Sequence, residues 1–172
     1  KWIWDLEVAE NGKIYGTTYP NAKLFEYDPV TKAFTDFGKM HGVQQYARGL
    51  GIDGDDIYVG TGTNAKHLIK YSISKGTKEE VIIDGYSGTS GTFQDIRIVG
   101  DYLFLSNGSI NMLVVDKNTL EVVSTFQYSN NIAYPSVEDP NHVYFKFEKK
   151  FFKFNLDTLE KTEIELKYDL PD

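Results

Sequence analysis

Through "YGTTYPNAKLFEYDPVTKAFTDFG", residues 15 to 38, apolar and polar positions alternate, break at Pro20-Asn21, alternate again, and break at Asp28-Pro29 before a third run. A period of two sends successive side chains to opposite faces, the mark of a half-buried strand. Each break falls on residues that form turns: Pro presets one backbone angle, while Asn, Asp and Gly tolerate the others. No window of the chain sustains the i, i+3, i+4, i+7 spacing of an amphipathic helix. The pattern predicts strands and turns from end to end.

The strand pattern also repeats. "GKIYGTT" at 12 to 18 returns as "DDIYVGT" at 55, "DYLFLSN" at 101 and "NHVYFKF" at 141. A second anchor follows in each copy: "LFEYDPVTKAF", "LIKYSISKGTK", "LVVDKNTLEVV" and "FKFNLDTLEKT". With Tyr27, Tyr71, Val115 and Phe154 equivalent, the spacings are 44, 44 and 39 residues, the period of a propeller blade. The copies run about 1–45, 46–92, 93–131 and 132–172. Their first strands are expected at Trp4–Val8, Arg48–Ile52, Gln94–Val99 and Tyr134–Glu138, and three more follow in each. The expected fold is therefore all-β, a β-propeller with about four blades of four antiparallel strands. A β-sandwich also strings short strands together but does not repeat itself at this interval. An arc of a larger, seven- or eight-bladed propeller is preferred to a four-bladed ring, because the chain opens on Trp2-Ile3-Trp4, already inside a strand. A start at Lys1 reads likewise as a processed or excised segment. The first and last blades of an open arc are expected to bury apolar surface, by self-association or by docking to a missing propeller segment.

The run "YARGLGIDGDDIYVGTGTNAKHLIKY", and the "YDP-x-T-K" turn preceded by "GTTYPNAKL", resemble repeats of bacterial secreted β-propellers of the quinoprotein-like and streptogramin-lyase-like type. The likeness is clear in residue detail over 12 to 72 and in shape over all four copies. It implies a propeller, a secreted or cell-surface location, and a place among proteins of which some are polysaccharide lyases.

Composition removes several alternatives. A net charge of −7 and a pI near 5.0 argue against nonspecific nucleic-acid binding, which needs a basic face. The alternating "YFKFEKKFFKFNL" from 144 is accordingly read as a blade face rather than a base-stacking platform. No stretch has the ~18 apolar residues of a membrane helix. With no cysteine, thiol catalysis, disulfides and cysteine zinc sites are excluded. "GTGTNA" at 60 to 65 matches a dinucleotide fingerprint in letters only, because the strand-like "KHLIKYSI" follows where a helix must open. "DGDD" at 53 lacks the closing Glu of a calcium loop. No metal and no cofactor is expected.

Turns joining strands one to two and three to four are tight, whereas the other links are long, so a ligand belongs on the long-loop face. There His41, Gln44, Gln45, Tyr46 and Arg48 fall within eight residues. His titrates near neutrality, Tyr gives or takes a proton, and Arg grips a carboxylate through two parallel hydrogen bonds. Asn64 and His67 form a second group on a neighbouring loop. The candidate substrate-binding set is thus His41, Gln45, Tyr46, Arg48, Asn64 and His67, and the candidate ligand is an acidic saccharide. If the chain is an enzyme, a polysaccharide lyase-like reaction suits those groups, with Arg48 on the uronate carboxylate and His41 or Tyr46 as base. The rival reading is a noncatalytic scaffold for protein partners. A quinoprotein-like oxidoreductase would need a tryptophan-lined ring and a calcium carboxylate, and neither is present in the sequence. Asp95 and Arg97, two residues apart on one strand face, are expected to form an ion pair, and His142, in the tight turn, to be structural or solvated.

Overall fold

The computed structural model describes residues 1–108, 110–129 and 134–167. It consists of four sheets, each of four antiparallel strands in sequence order. The first holds β1 (Trp2–Val8), β2 (Ile14–Tyr19), β3 (Lys23–Tyr27) and β4 (Phe34–Lys39). The second holds β5 (Tyr46–Asp53), β6 (Asp56–Gly62), β7 (His67–Ser72) and β8 (Thr77–Val81). The third holds β9 (Ile96–Val99), β10 (Tyr102–Ser106), β11 (Asn111–Asp116) and β12 (Val122–Gln127). The fourth holds β13 (Tyr134–Pro135), β14 (His142–Phe147), β15 (Lys150–Asn155) and β16 (Lys161–Ile164). First strands adjoin one another, β1 beside β5 and β5 beside β9, so they line the inner edge of a propeller and the fourth strands its rim.

Alternation along each strand supplies two faces, and the blades bury them in turn. Tyr15, Leu24, Leu50, Ile57 and Val59 fill the seam between blades one and two. Tyr58, Leu68, Phe93, Ile96, Leu103 and Leu113 fill the second seam, and Phe104, Met112, Phe126, Val143, Phe145 and Phe154 the third. Neighbouring residues of one strand thus serve different seams, as Ile57 and Tyr58 do on β6. Blade two approaches blade three closely through its glycines. A Cβ added at Gly60 would lie 2.2 Å from the carbonyl oxygen of Phe93, a space no side chain can share.

Two inner strands are shorter than the sequence pattern predicts. In blade three the strand begins at Ile96, because the Ser106 hydroxyl accepts the backbone N–H groups of Gln94 and Asp95 at 2.7 and 2.9 Å. These donors are satisfied without a ladder. In blade four the described part of the strand, Tyr134–Pro135, stops before the expected end at Glu138; proline has no N–H to extend the pairing.

Substituting Leu103, fully buried in the second seam, by Ala is expected to cost about 2–5 kcal/mol. Ile14 holds the same repeat position in blade one, where it is only half-buried, and Ile14→Ala should cost clearly less. Gly60→Ala should cost about 1–3 kcal/mol through overpacking. Denaturant unfolding of the three variants checks the ordering.

Candidate functional site

Two β-bulges create the first cluster. The β1–β2 register skips Trp4 and the β5–β6 register skips Arg48, at equivalent positions of the repeat. A bulge leaves one residue unpaired and re-aims its side chain. Here the guanidinium of Arg48 lies 4.6 Å from the centre of the Trp4 ring. Tyr46 meets Trp4 edge-on at 6.0 Å and stacks on Tyr19 at 4.7 Å. Asp5 fastens the two blades beside this cluster, its carboxylate accepting the Leu50 N–H at 3.1 Å. Trp4 remains 41% exposed, so an aromatic surface carrying a fixed cation faces solvent.

A second cluster joins the two loop groups that the sequence suggests separately. His41 and His67 stack with ring centres 4.2 Å apart. His41 Nδ1 accepts the backbone N–H groups of Val43 and Gln44, both at 3.2 Å. Its lone pair is therefore committed, and the neutral ring carries its proton on Nε2. His67 Nδ1 lies 2.6 Å from Glu80 Oε1. Burial, and next the neighbouring His67, hold the His41 pKa below the ordinary value.

The amides brace these loops. Gln44 Oε1 accepts the Asn64 N–H at 3.1 Å, Gln45 Oε1 accepts that of Asn21 at 3.1 Å, and the Gln45 N–H donates to Thr63 Oγ1 at 2.8 Å. Asn64 takes part through its backbone, leaving its exposed side chain toward solvent. The six sequence candidates thus divide: Tyr46 and Arg48 join Trp4 and Tyr19, His41 and His67 pair, and Gln45 and Asn64 hold the intervening loops.

A third group lies toward the tight-turn side of the inner edge. Arg97 Nη1 donates to Glu7 Oε1 at 3.1 Å, linking blade three to blade one, and its guanidinium lies 5.3 Å from the Tyr134 ring centre. This corrects the expected Asp95–Arg97 pair: Asp95 instead accepts the Tyr128 hydroxyl at 3.0 Å. Their strand neighbourhood favoured a local pair, but the inner edge brings Glu7 within reach across the fold. Arg97 and Glu7 line a cleft of about 740 Å³ with Asn11 and Asp53. Burial pushes the carboxyls of Asp5 and Glu7 up from their ordinary values, against the opposing pull of Arg97. The sequence signal for this group was the pair of acids at alternate positions of the first inner strand. His142, as expected, is structural: its ring bonds Asp139 at 2.8 Å and Asn155 at 3.1 Å. Among the described residues, no group of three or more His, Asp or Glu side chains has metal-holding geometry.

No family model and no curated protein matches the sequence. Among solved structures, the chain is similar to virginiamycin B lyase from Staphylococcus aureus, with a TM-score of 0.65 and 12% identity over 96% of this chain and 56% of that one. It is also similar to a chain of a mitotic checkpoint complex, with a TM-score of 0.59 and 10% identity over 91% of this chain and 63% of that one. The chain spans a little over half the length of these structures, and at such identities the likeness shows a β-propeller fold and nothing finer.

Because the folded pKa of His41 lies below 6.5, the unfolded chain binds more protons between the two values, and stability rises with pH there. This contribution is complete above about pH 6.5 and is lost as pH falls through the folded value. Imidazole NMR titration should find His41 titrating low, and His67→Ala should move it upward. An ordinary or elevated His41 pKa in the parent protein would contradict the stacked, half-buried pair.

Proposed function

We propose that the chain is a ligand-binding propeller module whose loop-rich face takes an acidic saccharide, in a secreted or cell-surface carbohydrate-active protein. The observation that carries this reading is the Trp4–Tyr46–Tyr19 surface with Arg48 laid over Trp4. Flat aromatic faces offer a sugar ring large apolar contact at low entropic cost, and the Arg fork matches a carboxylate. The contact with Trp4 holds the guanidinium in place before a ligand arrives, reducing the ordering cost of binding. Net charge opposes an anionic ligand overall, so the affinity must come from the local cation Arg48, held over the Trp4 ring.

Lyase chemistry is a second reading, and the His67–Glu80 contact favours it. With Nδ1–H donated to the Glu80 carboxylate, His67 keeps its lone pair on Nε2, where a general base needs it. His41 has the opposite tautomer and serves better as a donor. A scaffold for protein partners is the remaining alternative, supported by the similar chain in the mitotic checkpoint complex.

Calorimetric titration with uronic-acid oligosaccharides should show binding that neutral oligosaccharides of equal length do not reproduce. Arg48→Ala should weaken it by about 1.5–3 kcal/mol, the range for a hydrogen bond to a charged group. No heat and no amide shifts around residues 41–48 at millimolar sugar would discard the saccharide reading in favour of the scaffold. Ultraviolet absorbance of an unsaturated uronate product, lost in His67→Ala, would establish the lyase; binding without it leaves a noncatalytic module.

A further inference from the structure

The outward face of blade one is apolar and uncovered. Trp2, Ile3 and Leu6 are 70%, 58% and 52% exposed, and with Ile14, Phe25 and Phe34 they line a cleft of about 580 Å³. The repeat shows what such a face is for. Ile57, Leu103 and Val143 occupy the position of Ile14 in the other three blades, and each is fully buried against the blade before it. Within this chain, then, that register position is covered by a preceding blade three times out of four.

The covering side of each seam has its own signature. Tyr15, Tyr58 and Phe104 are equivalent aromatics on β2, β6 and β10, and Leu24, Leu68 and Met112 are equivalent apolar residues on β3, β7 and β11, all buried. Blade four carries the same pair as Tyr144 and Phe151, stacked on one another at 6.0 Å and only half-buried. Among the described residues, no hydrophobic cluster joins blade four to blade one. The molecule therefore presents an uncovered receiving face at one end and the matching covering face at the other.

We propose that these faces meet between two copies of this chain, the Tyr144–Phe151 face of one covering the Leu6–Ile14 face of its partner in the manner of the internal seams. The contact is head-to-tail, so each copy offers two different surfaces and two copies close a ring through two equivalent junctions. It uses neither the Arg48 platform nor the histidine pair, and it stands or falls apart from the saccharide reading.

Sedimentation equilibrium of the chain up to about 100 μM, a range that detects micromolar pairing, should show a dimer. Leu6→Lys on the receiving face and Phe151→Lys on the covering face should each weaken association about tenfold or more, as removal of a central apolar contact does. Circular dichroism verifies folding; Leu6 is exposed, so Leu6→Lys tests the contact even if Phe151→Lys unfolds, with Tyr144→Lys then taking its place. Mixing the two variants is decisive, because Leu6→Lys retains an intact covering face and Phe151→Lys an intact receiving face. The mixture should associate where neither variant does alone. A monomer at the highest concentration, a dimer indifferent to Leu6→Lys, or a mixture that fails to associate would each overturn the proposal.

Discussion

A four-stranded sheet has two faces, and with alternating side chains neither is polar enough to be left in water. That constraint governs the molecule. Each interior blade satisfies it by lying between two neighbours, so Ile57 looks back to blade one while Tyr58, the next residue, looks forward to blade three. Burial of apolar surface, at roughly 25 cal/mol per Å², accumulates seam by seam, and residues such as Gly60 are small because the next blade's backbone comes so near. The same requirement makes exceptions of the two end faces, that of blade one with its exposed Trp2, Ile3 and Leu6 and that of blade four with its half-buried Tyr144 and Phe151.

Polar chemistry collects where the seams cannot reach, along the inner edge and on the loops. Register skips at Trp4 and Arg48 turn two equivalent inner-strand residues toward one another. The loops beyond them bring together His41 and His67, from different blade links. Backbone N–H groups then dictate the tautomer of one imidazole, and Glu80 engages the other. Charged groups in these places feel burial first: the carboxyls of Asp5 and Glu7 rise for that reason although Arg97 opposes it. The Tyr15 hydroxyl, beneath blade one, is pushed up to about 12 by burial and by its hydrogen bond to Glu26.

Period-two alternation, turn residues and recurrence at blade length were sufficient by themselves to determine strands, their number and their assembly into propeller blades, because these depend on local sterics and on which face of a strand is apolar. They also located the long-loop side of the blades, where His41 lies on a loop and Arg48 and His67 stand near the starts of β5 and β7. Pairings across blades were decided only by the tertiary structure. Asp95 was the near neighbour of Arg97 in sequence, yet Glu7, ninety residues away, is its partner; Trp4 was read as an inner-strand residue, and together with Tyr19 it proves to surround Tyr46 and Arg48. Alternation states which way a side chain points but not which blade it meets, and that is settled by the packing that sets one sheet against the next.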